Sequence, residues 1–388
     1  MKGLVVATRI WLVRMGFRLG SVRPPAARVL FATSHAERIG GNLEYLRSEL
    51  ARSHPEIRVV VLAYRAHTGV GGRLAAAIHA MRAGHALARA RLTVVDDYFF
   101  PIYAAPRRPG TTVVQTWHAS GAFKRIGLAL DGRSFGADEA LLRRVRIHAN
   151  YDLCLVGSSA AAVHYAQAFG LPRDRFVSHL GIPRTDLFFD EERKRAVAAQ
   201  IRRRYAIPEG RRIILYAPTF RGDRVTDARA SNGLDLAVLA RELARDHVVL
   251  LRLHPFVRAG ADVPRELASF VVDASIHPDI NELMLVSDVL VTDYSSAIFE
   301  FSLLERPMAF FAPDLGAYER ERGFFFDYRS GVPGPVFETT EGLAAWLRAG
   351  TYDLERVRRF REESFEVADG AASRRFVDEV VVPALRDA

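Results

Sequence analysis

The first 22 residues, MKGLVVATRIWLVRMGFRLGSV, mix apolar runs with regularly spaced cations, Lys2, Arg9, Arg14 and Arg18. A secretory leader needs an uninterrupted apolar stretch, and Arg9 and Arg14 break this one. The spacing predicts a basic amphipathic helix over residues 1–23. Two uses are open to it: lying on an anionic membrane surface, or packing as an ordinary first helix on its own domain.

Beyond Pro24-Pro25 the pattern becomes an alternation of short apolar strands and helices. Arg28–Thr33, Ile57–Tyr64, Leu92–Val95, Thr112–Thr116 and Leu153–Gly157 read as strands. Gly40-Gly41-Asn42 opens a helix, NLEYLRSELARS, and the Ala-rich Leu74–Ala90 is a second one. A charged helical stretch over 186–212 leads into a second series. Its strands are Arg212–Ala217, His247–Leu253, Ser269–Asp273, Asp288–Thr292 and Met308–Ala312. Its helices are Leu234–Arg245, Ile280–Leu285 and one starting at Ser295, with one or two more in Leu354–Leu385. Apolar strands alternating with helices imply parallel sheets covered on both faces. The expected fold class is α/β, with two Rossmann-like domains over 24–190 and 191–388.

The length of 388 residues agrees with two domains. With 49% hydrophobic and 26% charged residues, a mostly disordered chain is excluded. No apolar run is long enough to span a bilayer. A single cysteine, Cys154, excludes a disulfide framework and a cysteine-built zinc site. The net charge is +9, and only Lys2, Lys124 and Lys194 are lysines, so 51 of the 54 basic residues are arginines. Arginine holds phosphate bidentately, although a GC-rich coding sequence also yields this bias.

Open parallel sheets bind ligands at the carboxyl ends of their strands. Four strand ends carry more polar residues than a core needs. In VVQTWHASGAFK, His118 follows the strand tip, small residues whose amides suit an anion come next, and Lys124 closes the segment. In LYAPTFRGD, Thr219 and Arg221 offer a hydroxyl and a guanidinium. In VLLRLHP, His254 stands at a second strand tip. In VLVTDYSSAIFE, Asp293, Ser295 and Ser296 precede a helix whose free N–H groups suit phosphate. Glu300 lies one residue too far from Ser296 for a capping box, which leaves it available for ribose hydroxyls. Asp96-Asp97 is the only adjacent aspartate pair, and a helix cap or surface turn accounts for it. P-loop, HExxH, GxSxG and Gly-rich dinucleotide fingerprints are missing, and no carboxylate cluster suits two metals. No resident metal or cofactor is expected.

In their order along the chain, QTWHASGAFKRIG, YAPTFRGD, LRLHP and TDYSSAIFEF resemble the CDP-glycerol glycerophosphotransferase family, which builds teichoic acids and related polymers. GGNLEYLRSEL, GIPRTDLF and DGAASRR are similar to further family segments, so the resemblance runs from about Phe31 to Arg375. It implies a GT-B-like architecture, with two Rossmann-like domains facing a cleft and a C-terminal helix crossing back to the first. It also implies a CDP-glycerol or CDP-ribitol donor, release of CMP, a lipid-linked glycan acceptor, and a peripheral position at the cytoplasmic face of the membrane. On that basis His118 is the expected base and His254 the donor-side partner, holding phosphate or protonating the leaving CMP. Thr219, Arg221, Asp293, Ser295 and Ser296 would serve the pyrophosphate side, Glu300 the ribose, and Lys124 charge neutralisation near the acceptor. Trp117-His118-Ala119-Ser120-Gly121 departs from the Trp-His-Gly of many polymerases and is more similar to short primase-type members. Two other readings stay open: a GT-B glycosyltransferase using a nucleotide sugar, and a non-enzymatic Arg-rich protein binding membrane or nucleic acid. Nucleic acid is not the expected partner, since Arg202–Arg204 and Arg211-Arg212 lie in a helical connection with few aromatics.

Overall fold

The computed structural model describes residues 2–34, 36–65, 69–130, 141, 143–222, 233–254, 257 and 263–386. Asp223 and Pro255, which belong to two of the motifs above, lie outside the described residues.

Each half is built on a six-stranded, all-parallel sheet. The first comprises β1 (Ala26–Thr33), β2 (Arg58–Ala63), β3 (Ala90–Val95), β4 (Thr112–Gln115), β5 (Leu153–Leu155) and β6 (Phe176–Val177). The second comprises β7 (Arg212–Ala217), β8 (His247–Leu251), β9 (Val271–Asp273), β10 (Val289–Thr292), β11 (Met308–Phe311) and β12 (Val336–Phe337). Their spatial orders are β2-β1-β3-β4-β5-β6 and β12-β11-β10-β7-β8-β9. The central strands are buried on both faces; His247–Leu251 is buried throughout. That is why these segments read as continuous apolar runs and not as alternating ones.

The strand order reverses between β1 and β3 in the first sheet and between β7 and β10 in the second. Such reversal points open a crevice beyond the carboxyl ends of the strands. Asp97 follows β3. Thr219 and Arg221 follow β7, and Asp293–Ser296 follow β10.

Helix α1 (Lys2–Ser21) packs on α3 (Gly69–Arg89). A Cβ on Gly16 would stand 2.0 Å from the Met81 carbonyl oxygen, and one on Gly84 2.0 Å from that of Val13. The two backbones therefore touch at glycines. The outward side of α1 leaves Leu4 (74%), Trp11 (59%) and Leu19 (57%) exposed. Both expected uses of this helix are thus open at once, one on each face.

The two halves share one hydrophobic cluster, which runs from Leu43 and Phe123 to Phe299, Phe324, Phe360 and Phe376. The C-terminal helices close it. Helix Ala372–Phe376 continues through a π turn, Val377–Val381, into Val382–Arg386. The π turn ends two residues before Pro383, whose missing N–H breaks the regular ladder. This region packs against α2 (Gly41–Ser53) and against β1 and β3 of the first half. Cys154 is buried on β5, and burial pushes its thiol pKa up.

Candidate active site at the seam between the halves

β4 ends at Gln115, and the chain then turns sharply. Trp117 has φ 52°, a left-handed backbone that a bulky residue adopts only when its surroundings hold it. Its N–H donates to Gln115 Oε1 at 2.8 Å, and its carbonyl accepts from Asn42 Nδ2 at 2.9 Å. This turn lifts His118 off the strand direction. The imidazole is half exposed, and its Nδ1 lies 3.3 Å from Asp97 Oδ2. The Trp117 indole lies beside it, ring centres 4.5 Å apart.

The glycine of this segment serves packing. A Cβ on Gly121 would stand 2.2 Å from Phe299 Cε1, so the ring of Phe299 seats against bare backbone from the other half. Ser120 is buried, and its hydroxyl donates to Glu300 Oε1. Neither residue presents the anion cradle expected from the sequence. Further on, the chain pairs across the seam. Lys124 forms an antiparallel bridge with Phe324, the Phe325 N–H donates to the Phe123 carbonyl at 3.0 Å, and the Arg125 N–H to the Gly323 carbonyl at 3.1 Å.

In the second half Asp293 is the hub. It is buried, and its Oδ1 accepts from the Thr219 N–H at 2.8 Å, the Thr219 hydroxyl at 2.9 Å and the Tyr294 N–H at 2.6 Å. Its Oδ2 lies 2.9 Å from Arg221 Nη1. Arg221 in turn grips Asp314 with Nε (2.6 Å) and Nη2 (3.0 Å). Its guanidinium carbon lies 5.0 Å from the centre of the Tyr294 ring. Thr219, Arg221 and Asp293 therefore form one connected network. The picture of Thr219 and Arg221 as open phosphate donors is corrected: two carboxylates already occupy the guanidinium.

Glu300 also departs from expectation. It is 1% exposed, and its Oε1 receives both the Ser120 hydroxyl and Arg184 Nη2. The residue one place beyond the capping-box position serves a tie between the halves. The helix that carries it is short, Ala297–Ser302; Ser295 Oγ accepts from the Ala297 N–H at 3.2 Å, while the Ser296 side chain makes no capping bond.

The cations converge on this seam. Burial pushes the Lys124 ammonium down to about 8, with Arg322 and Arg221 adding to the effect and Asp293 opposing it. Burial likewise pushes His254 down to about 3, assisted by Lys124, Arg252, His118 and Arg322. His254 is thus neutral near pH 7 and offers an N–H hydrogen bond, which disfavours the proton-donor half of its expected role. Its ring centre lies 4.8 Å from that of Phe220. His118, Lys124 and His254 share this region with Arg322, whose guanidinium carbon lies 5.1 Å from the centre of the Phe220 ring and whose Nη2 donates to the Gly222 carbonyl at 3.1 Å. Among the described residues, no group of three or more His, Cys, Asp or Glu side chains is arranged to hold a metal ion.

The sequence reading missed Asp97, Arg184, Asp314 and Arg322. Arg184 carried a signal, since it lies in GIPRTDLF. Asp314 carried none, because its pairing with Arg221 spans 93 positions. The three minor motifs also meet one another in space. Asn42 Oδ1 accepts from the Arg184 N–H at 3.1 Å, and Asp186 accepts from the N–H groups of Ala372 (2.9 Å) and Ser373 (2.8 Å).

The family model described as CDP-Glycerol:Poly(glycerophosphate) glycerophosphotransferase matches residues 17–382. The teichoic acid ribitol-phosphate primase of Bacillus spizizenii is 36% identical over 353 residues, covering 90% of each chain. The glycerol-phosphate primase of the same species is 31% identical over 304 residues, covering 78% of this chain and 77% of that one. The solved wall teichoic acid polymerase TagF superposes with a TM-score of 0.79 at 22% identity, over 96% of this chain and 93% of its own. That likeness fixes the fold as GT-B-like. The chain belongs to the CDP-glycerol:poly(glycerophosphate) glycerophosphotransferase family.

Proposed function

We propose that this chain transfers an alditol phosphate, glycerol or ribitol, from a CDP-linked donor to a hydroxyl of a lipid-linked glycan, releasing CMP in the synthesis of a teichoic-acid-like polymer. The observation that carries the reading is the convergence at the seam of a half-exposed strand-end histidine, His118, with the cations Lys124 and Arg322 and the neutral His254. Phosphoryl-type transfer depends on positioning and charge neutralisation more than on covalent chemistry.

In this reading His118 takes the proton of the acceptor hydroxyl. The oxygen attacks the phosphorus that bears the alditol, and the bond from that phosphorus to the bridging oxygen of CMP breaks. The electron pair leaves with CMP. Lys124 and Arg322 face the developing charge, and His254 donates a hydrogen bond on the donor side. Ser295 and Ser296 border the pyrophosphate, while Asp293 and Asp314 hold Thr219 and Arg221 in place. The higher identity to a ribitol-phosphate primase (36%) than to a glycerol-phosphate primase (31%) favours CDP-ribitol as the first donor to test.

The same reading places the chain peripherally on the cytoplasmic face of an anionic membrane, where a lipid-linked acceptor resides. Leu4, Trp11 and Leu19, exposed on α1 and interspersed with Arg14 and Arg18, support that position. Among the described residues no helix is long and apolar enough to cross a membrane.

The test is incubation of the purified chain with CDP-ribitol or CDP-glycerol and a lipid-linked disaccharide analogue. The expected result is CMP release matched by a gain of alditol-phosphate mass on the acceptor. Release of a nucleoside diphosphate from a nucleotide sugar, with no CMP from either alditol donor, would refute it in favour of glycosyl transfer.

A further inference from the structure

The adjacent aspartates that the sequence reading left to a cap or a turn acquire a role from the first sheet. β3 and β4 are neighbours, paired from Leu92↔Thr112 to Val95↔Gln115. Their ends therefore deliver Asp97 and His118 side by side, and the histidine Nδ1 stands 3.3 Å from Asp97 Oδ2. We propose that Asp97 is a positioning residue for the His118 base, fixing its tautomer and ring orientation.

Asp97 is itself held from two directions. Its Oδ1 accepts from the Tyr98 N–H at 2.6 Å, and its carbonyl accepts from Gln115 Nε2 at 3.1 Å. Gln115 is fully buried, is anchored by the Tyr151 hydroxyl at 2.9 Å, and spends its Oε1 on the Trp117 N–H. One buried amide thus sets the backbone on both sides of the pair, Asp97 after β3 and Trp117 before His118. A proton held on Nδ1 towards Asp97 leaves Nε2 as the ring's acceptor. That is the tautomer a base must have to take a hydroxyl proton, and the carboxylate offsets the imidazolium charge once the proton is taken. Asp97 touches no reacting atom in this scheme and acts only through the ring.

The inference rests on the proposed role of His118, and the test separates the two. In the full chain, CMP release is measured with saturating acceptor analogue for Asp97→Asn, His118→Ala and the double variant. The expected loss in kcat is about 100- to 10,000-fold for Asp97→Asn, the range seen where an orienting carboxylate is neutralised. Donor KM stays within about twofold, and the double variant is no slower than His118→Ala alone. Asp97→Glu, which keeps the charge, recovers at least tenfold over Asp97→Asn and guards against a folding loss. Full activity of Asp97→Asn with an inactive His118→Ala would overturn the pairing alone. Full activity of His118→Ala would overturn the base and the pairing with it. A double variant that multiplies the two single losses would show that Asp97 acts independently of the ring and would overturn the proposal.

Discussion

Glu300→Gln tests whether the carboxylate at the seam is structural or meets the nucleotide ribose. The replacement keeps the shape and removes the charge. Arg184, whose side chain is 16% exposed, then loses its main counter-charge, and its Nε already lacks a partner. Breaking a buried pair from one side costs about 3–5 kcal/mol. Asp279 lies within electrostatic reach of Arg184, which favours the lower end, about 3 kcal/mol. At roughly 2.1 cal/mol/K per residue, a chain of 388 residues has an unfolding entropy of about 0.8 kcal/mol/K. The melting temperature should therefore fall by about 4 °C. Adding Arg184→Met should restore most of that loss, because the orphaned charge is gone. The assay is differential scanning calorimetry of the wild type, the single variant and the pair, alongside the donor KM. A melt within about 1 °C of wild type, together with a raised KM for the CDP donor, would refute the structural assignment and return Glu300 to the ribose.

Three further outcomes are expected. Because Lys124 sits at about 8, kcat/KM for the donor should decline as pH rises through that value, and Lys124→Arg should carry activity to higher pH; an unchanged alkaline limb in the variant would count against the lysine. Because His254 is pushed from 6.5 to about 3, the unfolded chain binds its proton first as pH falls, so the stability it contributes is complete above pH 6.5 and is lost towards pH 3. That loss reaches about 2 kcal/mol by pH 5, and His254→Gln should melt with a correspondingly smaller difference between pH 7 and pH 5. Finally, Arg18→Gln should weaken binding of the full chain to anionic vesicles about fivefold while leaving neutral vesicles unaffected; equal binding to both in sedimentation would remove α1 from the membrane contact.

The strand ends were legible because two physical signals coincide there. A continuous apolar run marks a strand buried on both faces, and the first polar residues after it mark the ligand-facing edge. His118, His254, Thr219 and Asp293 all emerged that way. The same logic does not say whether a polar residue at a strand end looks outward or at a neighbour. From the chain alone Arg221 reads as a donor to a ligand and Glu300 as an acceptor from one, because their long-range partners, Asp314 and Arg184, leave no periodic trace. Asp97 was passed over for a related reason: an aspartate after a strand caps turns more often than it orients a histidine, and only the register of β3 against β4 distinguishes the two. Helix ends shifted by a few residues for ordinary reasons. The helix expected from Ser295 begins at Ala297 because Ser295 spends its side chain on the cap. The tail helices merge through a π turn ahead of Pro383.

The pairing of Phe123–Arg125 with Gly323–Phe325 bears on how such a protein is taken apart or recombined. Two lobes joined only by a linker would behave as cassettes, and the second lobe from one relative could be grafted onto the first lobe of another. Here the seam is a sheet-like splice backed by the Phe123, Phe324 and Phe326 rings and locked by Ser120, Arg184 and Glu300. A crossover placed in the connecting helix Glu191–Arg204 would sever both layers at once. Workable chimeras between relatives must transplant the splice strands, the Arg184–Glu300 tie and the returning C-terminal helices as one heritable unit.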